Sequence, residues 1–309
     1  MVRRGVGWRA AGALSLAMVL AACGSSSPER PAAAPASPAG GATVSVVAST
    51  NVYGDIVKQI AGDRAAITSI ISSPDADPHS YEANTRTQLE LSKAKVVIEN
   101  GGGYDDFVDT MLKASGGAPK VLNVVDISGR TATGGKELNE HVWYDFPTVQ
   151  KLADQLAAAL AEADPAGAAT FAANATAFQQ KVQQLQAREA AIKAAHTGVG
   201  VAVTEPVPLY MLEACGLVNK TPGEFSEAIE EGTDVPANVL HKTLDLFAHK
   251  EVALLAYNEQ TKGPQTQKVL NAAKAANVAV VPVTETLPDG KDYLSWMNSN
   301  LTAIETALR

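Results

Sequence analysis

The sequence contains little cysteine and no excess of basic residues. Lysine and arginine together number 25 against 33 aspartates and glutamates, which gives a formal net charge of −8. Because nucleic-acid binding requires a surface that neutralises phosphates, this balance and the lack of a basic stripe exclude a nucleic-acid-binding function. The two cysteines, Cys23 and Cys215, could form at most one disulfide.

Two hydrolase signatures are also missing from the sequence. It contains neither the His-Glu-x-x-His helix of zinc proteases nor the Gly-x-Ser-x-Gly turn of serine hydrolases. The 309 residues are 46% hydrophobic and 19% charged. These values are typical of a globular protein of about two domains, and they exclude a disordered chain, a collagen and a multi-span membrane protein.

The first 22 residues predict a secretory signal peptide. The pair Arg3-Arg4 lies ahead of a mostly apolar stretch, residues 10–22, which is too short for a comfortable membrane span. The stretch ends in Leu20-Ala21-Ala22-Cys23-Gly24, which resembles the bacterial lipobox, where the cysteine is lipid-modified and becomes the first mature residue. We therefore expect lipidation at Cys23, which leaves Cys215 unpaired as a small buried residue. The alternative is an ordinary signal peptide with an incidental cysteine.

Residues 23–42 predict a flexible tether. They are rich in proline, glycine, serine and alanine, a composition that cannot bury a core. An acidic protein attached in this way is held at the cell membrane by its acyl chains rather than by anionic headgroups. We therefore expect an extracytoplasmic, lipid-anchored protein whose folded body begins near residue 43.

Short runs rich in valine and isoleucine alternate with helical stretches through the folded body. This alternation predicts an α/β fold in which small, mainly parallel sheets are flanked by helices. The predicted strands are residues 44–48, 66–71, 96–98 and 121–125 in the first part and residues 199–203, 252–256 and 278–283 in the second.

A long helical region separates the two sets of strands. After a helix over residues 148–163, a second helical pattern covers residues 167–195 with hardly a breaker, a length of roughly 43 Å. Such a helix is longer than a small domain is wide, so it is predicted to connect two lobes rather than to belong to either. We expect an N-terminal lobe at 43–165, a connecting helix at 166–196 and a C-terminal lobe at 197–309, with a ligand cleft between the lobes.

Two of the five histidines lie in predicted loops. His79 follows a strand in a turn-rich segment, and His141 precedes the helix that starts near residue 148. In a loop an imidazole can point at a ligand, and histidine is the commonest neutral metal-binding side chain. The remaining three, His196, His241 and His249, occupy helices or helix ends, where a structural role is the simpler interpretation.

Two glutamates directly follow predicted strands of the C-terminal lobe. Glu205 comes after the strand ending at residue 203, and Glu259 comes after the strand ending at residue 256. Both carboxylates are therefore expected to face the cleft. The spacing of the four candidates, His79, His141, Glu205 and Glu259, is not a local metal motif, and each loop histidine alone could be an ordinary hydrogen-bonded residue.

The sequence resembles the metal-binding subunits of bacterial zinc and manganese ABC importers, receptors with a rigid helix between two lobes. The resemblance covers nearly the whole mature chain. It rests on three segments and on the tetrapeptide Val203-Thr204-Glu205-Pro206: Asp77-Pro78-His79-Ser80-Tyr81-Glu82, residues 93–107 and Glu140-His141-Val142-Trp143-Tyr144-Asp145.

The resemblance implies a set of metal ligands. The family's first two histidine ligands fall on His79 and His141, and its third ligand, a histidine or a glutamate, falls on Glu205. The fourth is commonly an aspartate in a late loop, but the loop after residue 256 contains none. Glu259 is the expected substitute, with Asn258, Gln260 or a water as alternatives. Such a site suits Zn²⁺ or Mn²⁺, and the sequence does not decide between them.

The function that the resemblance implies is capture of a divalent metal outside the membrane and its delivery to an ABC permease driven by a cytoplasmic ATPase. The receptor is expected to be a monomer and not an enzyme. One rival is a secreted zinc-dependent hydrolase, because two histidines, a glutamate and an open water position also describe a catalytic site. Another is an adhesin-type lipoprotein in which the histidines have no metal role.

Overall fold

The computed structural model describes residues 43–74, 78–82, 84–132 and 137–309. The predicted signal peptide, the predicted lipidation site Cys23 and the predicted tether lie outside this range. Two four-stranded sheets, each parallel throughout, form the framework, and the predicted α/β class with two small parallel sheets is confirmed. The strands are β1 Val44–Thr50, β2 Ala65–Ile71, β3 Val96–Glu99, β4 Lys120–Asn123, β5 Gly200–Val203, β6 Val218–Asn219, β7 Leu254–Asn258 and β8 Ala279–Val283.

The two sheets have the same topology. The first has the strand order β2-β1-β3-β4 and the second the order β6-β5-β7-β8. In each sheet the chain reverses its direction of growth beside the first strand, and loops at the carboxyl ends around such a point form the usual ligand crevice of open α/β sheets. We call the first sheet with its helices the N-terminal lobe and the second the C-terminal lobe.

Helices cover both sheets. Several begin at a side-chain cap; for example, Asn84 Oδ1 accepts hydrogen bonds from two backbone amides of α2. The helices are α1 Asn51–Ala61, α2 Thr85–Lys93, α3 Phe107–Ser115, α4 Val124–Ser128, α5 Phe146–Ala163, α6 Ala168–His196, α7 Leu209–Ala214, α8 Gly223–Glu230, α9 Ala237–Ala248, α10 Pro264–Ala275 and α11 Tyr293–Ala307. Among the described residues, no helix is both long enough and apolar enough to cross a membrane.

The long helix α6 has 29 residues. Its buried side chains recur every three or four positions and include Phe171, Phe178 and Val182, which pack with α1, α5 and α11. The carboxyl end of the helix contacts α7 in the C-terminal lobe. A long helix between the two lobes was predicted from the unbroken pattern and is confirmed.

Most strand bounds differ from the prediction by one or two residues, and β7, predicted at residues 252–256, lies at Leu254–Asn258. The predicted strand at residues 121–125 ends earlier, because the Asn123 side chain accepts a hydrogen bond from the Asp126 amide and starts α4 there. Strand β6, only two residues long, was missed, since so short a segment carries no periodic pattern.

The core runs through both lobes. One cluster of buried apolar side chains extends from β1 and α1 through α5 and α6 to β8 and α11. At the lobe junction, Tyr293 at the start of α11 donates a hydrogen bond from its hydroxyl to the Trp143 carbonyl (2.6 Å). Its amide donates to Asp55 Oδ2 (2.8 Å). The last helix therefore fastens the C-terminal lobe to the N-terminal lobe.

Candidate metal centre

Two histidines of the N-terminal lobe reach one glutamate of the C-terminal lobe. His79 lies in the 3₁₀ turn Pro78–Ser80 after β2, and His141 immediately precedes the 3₁₀ turn Val142–Tyr144. His79 Nε2 lies 3.5 Å from Glu285 Oε2, and His141 Nε2 lies 3.7 Å from the same oxygen. These three residues form a group in which all candidate ligand atoms lie within 4.8 Å of one another.

These separations match those between ligands of one metal ion. Zinc–nitrogen and zinc–oxygen bonds of about 2.0–2.2 Å in a tetrahedron place the ligand atoms roughly 3.3–3.6 Å apart. The observed distances of 3.5 and 3.7 Å are longer than an ordinary hydrogen bond. The spacing therefore leaves room for a cation between the three side chains.

The ring of His141 is fixed in one orientation and one tautomer. Its Nδ1 lies 2.8 Å from Asn139 Oδ1, which can only accept, so Nδ1 donates. In the neutral imidazole the lone pair is then on Nε2, and the His141 side chain is fully buried. Among the described residues this Nε2 has no hydrogen-bond partner. A buried unpaired nitrogen is costly, and a metal ion would supply its missing partner.

Glu285 is held by polar groups of both lobes. Its Oε1 accepts a hydrogen bond from Asn258 Nδ2 (2.9 Å) and its Oε2 accepts one from the Tyr104 hydroxyl (3.3 Å). Burial by itself raises the pKa of this carboxyl, but the imidazoles of His141 and His79, as donors and positive charges when protonated, outweigh burial and hold the pKa at about 2. Glu285 is therefore an anion in a buried site, as a metal ligand must be.

Two further carboxylates lie beside the histidines. Glu140 Oε1 is 4.0 Å from His79 Nε2, and Glu230 Oε1, at the end of α8, is 3.6 Å from His141 Nε2. Burial and, after it, the charges of nearby carboxylates, Glu140 first, raise the pKa of Glu230 to about 10. These groups open into a cavity of about 1450 Å³ between the lobes.

The other predicted ligands occupy different positions. Glu205 follows β5 and is buried, and its carboxylate accepts a hydrogen bond from the Thr261 hydroxyl. Glu259 is exposed. Neither belongs to a metal-sized group among the described residues. Asn258 and Gln260, the alternatives to Glu259, both form hydrogen bonds with Glu285. The Asn258 side-chain amide donates to the Glu285 carboxylate, and Gln260 Oε1 accepts from the Glu285 backbone amide (2.6 Å).

The three histidines expected to be structural stay away from the cluster. His241 and His249 are exposed and lie near Asp245 (3.6 Å) and Glu251 (3.8 Å) on their own surfaces. His196 ends α6.

Sequence reasoning missed Glu285, although a signal for it was present. The tripeptide Val-Thr-Glu occurs at residues 203–205 after β5 and again at residues 283–285 after β8. In both places a carboxylate follows the carboxyl end of a parallel strand, which is the edge where ligands bind. The fourth ligand was expected in the loop after β7, whereas Glu285 follows β8.

The chain belongs to the family whose model is described as "ZnuA: Zinc-uptake complex component A periplasmic", which matches residues 46–307. The family resemblance stated from the sequence motifs is thereby confirmed.

Curated relatives carry metal-binding names. The chain is 26% identical over 281 residues to "Manganese ABC transporter substrate-binding lipoprotein scaA" of Streptococcus gordonii, an alignment that covers 86% of this chain and 89% of the relative. It is 29% identical over 146 residues to "Manganese-binding lipoprotein MntA" of Halalkalibacterium halodurans. That alignment covers 47% of this chain and 48% of MntA, so the chain spans about half the length of this relative.

A solved structure supports the fold. The periplasmic zinc-binding protein TroA from Treponema pallidum superposes with a TM-score of 0.74 at 18% identity, covering 86% of this chain and 99% of TroA. At this identity the likeness shows the fold alone.

Proposed function

We propose that the protein is an extracytoplasmic receptor that binds one divalent transition metal ion, Zn²⁺ or Mn²⁺, between its lobes and delivers it to an ABC permease with a cytoplasmic ATPase. The observation that carries the proposal is the convergence of His79 Nε2 and His141 Nε2 on Glu285 Oε2, at 3.5 and 3.7 Å. The metal is cargo, and the proposed role is transport rather than catalysis. The names of the relatives, which include a substrate-binding component of a manganese ABC transporter, support the same role.

The proposed ligands are His79, His141 and Glu285, with Glu205 as the fourth. Glu205 is buried and follows a neighbouring parallel strand of the C-terminal lobe, which supports its assignment. Glu285 takes the place for which Glu259 was the expected substitute, because Glu285 is 1% exposed and faces both imidazoles. Two neutral imidazoles with two carboxylates form a borderline-to-hard donor set that suits either metal. The Irving–Williams order favours zinc intrinsically.

Metal binding would tie the lobes together. Both histidines come from the N-terminal lobe, whereas both carboxylates come from the C-terminal lobe. The continuous core and α6 limit how far the lobes can separate. A permease could then distinguish the loaded receptor from the empty one by a small difference in lobe position.

The binding test uses residues 43–309 stripped of metal and titrated with Zn²⁺ and Mn²⁺. We expect one-to-one binding and a rise in melting temperature, since a ligand that binds only the folded state stabilises it. His79→Ala should abolish the rise, whereas His241→Ala, which removes an exposed histidine, should leave it intact. Absence of a shift with both metals in the wild-type protein would refute the receptor function.

We also propose that the receptor is a monomer anchored through lipid on Cys23. The lipobox-like segment before Cys23 and the lipoprotein names of the relatives support the anchor. Cys23→Ala should move the full-length protein from the membrane fraction to the soluble fraction without changing metal affinity. Equal membrane retention of wild type and variant would contradict lipid anchoring at this residue.

A further inference from the structure

His79 belongs to two groups of ligand atoms rather than one. The first group contains His141 and Glu285, and the second contains Glu140 and Glu230. In each group every candidate ligand atom lies within 4.8 Å of the others. A cation bound in either group would therefore use the same imidazole of His79.

The two groups differ in depth. The side chains of Glu285 and His141 are 1% and 0% exposed, whereas those of Glu140 and Glu230 are 14% and 15% exposed. His79, at 23%, is the most exposed of the five. The second group therefore lies nearer to solvent, and a cation from the cleft would meet it first.

A buried nitrogen of the first group lies close to a buried oxygen of the second group. His141 Nε2 and Glu230 Oε1 lie 3.6 Å apart, and both are buried without a hydrogen-bond partner among the described residues. The imidazole of His141, fully buried and held by Asn139, points at Glu230 as well as at Glu285. A divalent cation bound between them would satisfy both atoms.

The cavity in front of the second group is strongly acidic. Its wall carries, beyond Glu140 and Glu230, four further glutamates and a single arginine among the described lining residues: Glu137, Glu213, Glu227, Glu231 and Arg130. A cleft lined by one sign of charge concentrates counter-ions near its base. This wall would supply divalent cations to the residues at its inner end.

We propose that His79, Glu140 and Glu230 form an entry position for the divalent metal, from which the ion passes to His79, His141 and Glu285. This inference rests on the proposed receptor function and specifies how that site is loaded. The ion keeps His79 as a ligand throughout. His141 Nε2, which already lies beside Glu230, binds the ion first. The outer carboxylates are released afterwards. No bond other than metal–ligand bonds changes in this exchange.

The test measures association and dissociation rates of Zn²⁺ and Mn²⁺ by stopped flow for the wild type and Glu230→Gln. An entry position lies on the path in both directions, so its loss slows loading and release alike. We expect the association rate to fall about tenfold, within the range by which a charged cleft raises on-rates, the dissociation rate to fall by about the same factor, and the Kd to change by less than about threefold. Glu231→Gln is the matched control, because it makes the same substitution at an exposed position on the same cavity wall, and its rates should stay within about twofold of wild type.

Three results would overturn the entry position. Faster dissociation with unchanged association in Glu230→Gln would make Glu230 a ligand of the deep site. Equal slowing in Glu230→Gln and Glu231→Gln would show that the overall negative charge of the cavity, and not metal binding by Glu230, sets the rates. Unchanged rates in Glu230→Gln would remove any role for this residue.

Two further measurements complete the test. Should Glu230→Gln fail to fold, as judged by circular dichroism, Glu140→Gln carries the same expectation. A wild-type protein that binds neither metal would refute the receptor function itself, which is a different outcome from any rate effect.

Discussion

Asn139 Oδ1 lies 2.8 Å from His141 Nδ1, and the amide nitrogen of the same asparagine donates to the Pro206 carbonyl at 3.0 Å. One side chain of the N-terminal lobe therefore orients a proposed metal ligand and contacts the C-terminal lobe. The Tyr210 hydroxyl adds a second link by donating to the Asn139 carbonyl (2.5 Å). The orientation of His141 is thus coupled to contact between the lobes.

Asn139→Ala should weaken metal binding about ten- to a hundredfold, the loss typical when the residue that orients a histidine ligand is removed. The reason is that His141 Nδ1 loses its acceptor and the ring loses its fixed tautomer. Competition titration with a chelating dye measures the change. Tyr210→Phe is the control, since it removes the other link to Asn139 and leaves the histidine bond in place. Equal losses in both variants would assign the effect to lobe contact instead.

Glu285→Gln and Glu259→Gln separate the two candidates for a ligand in the late loops of the C-terminal lobe. Glu285 is buried between two imidazoles, whereas Glu259 is exposed. Glu285→Gln should weaken Zn²⁺ binding by more than the roughly hundredfold upper limit for a residue that only orients a ligand. Glu259→Gln should bind like wild type. Isothermal titration calorimetry measures the Zn²⁺ affinity of both variants. Weak binding by Glu259→Gln together with near-wild-type binding by Glu285→Gln would identify Glu259 as the ligand instead.

Metal affinity should fall as the pH is lowered from 7.5 to 5.5. Histidine must be neutral to bind a metal and ordinarily titrates near pH 6.5, so below that pH protons compete for the ligand nitrogens. Well below its pKa, each protonated imidazole should cost about tenfold in apparent affinity per pH unit. Glu285, whose pKa is held at about 2, should stay ionised throughout this range. A flat affinity across the range would argue against imidazole ligands.

Glu189→Gln should stabilise the metal-free protein at pH 8 but not at pH 4. Glu189 lies on the buried face of α6, and burial, with a smaller contribution from the charge of Asp145, raises its pKa from 4.5 to about 8. The unfolded chain loses this proton near pH 4.5 and the folded chain only near pH 8. The stability present below pH 4.5 is therefore lost as the pH rises to 8.

The gain from Glu189→Gln should reach on the order of a few kcal/mol by pH 8. Urea denaturation of wild type and variant at the two pH values measures it. Glu162→Gln on α5, which makes the same substitution at an exposed site, is the control. A gain that is equal at both pH values would contradict the assignment.

Much of the fold followed from local pattern. The alternation of apolar runs with helical stretches predicted two parallel sheets, and the unbroken stretch at residues 167–195 predicted a helix now observed as Ala168–His196. These features depend on neighbours within a few residues, so the sequence alone carries them. Strand β6 escaped prediction because its two residues pair with β5 only after the chain has folded.

The sequence by itself determined the class of protein, the α/β pattern and the two loop histidines, since motifs and periodicity are local properties. Only the tertiary structure decided which carboxylate faces those histidines. The tripeptide Val-Thr-Glu is identical at residues 203–205 and 283–285, and the structure shows Glu285 within 4 Å of both imidazoles. His79, His141 and Glu285 are far apart in the chain and come together because parallel strands from two sheets end at a common cleft. That convergence depends on how the lobes pack, which no local pattern encodes.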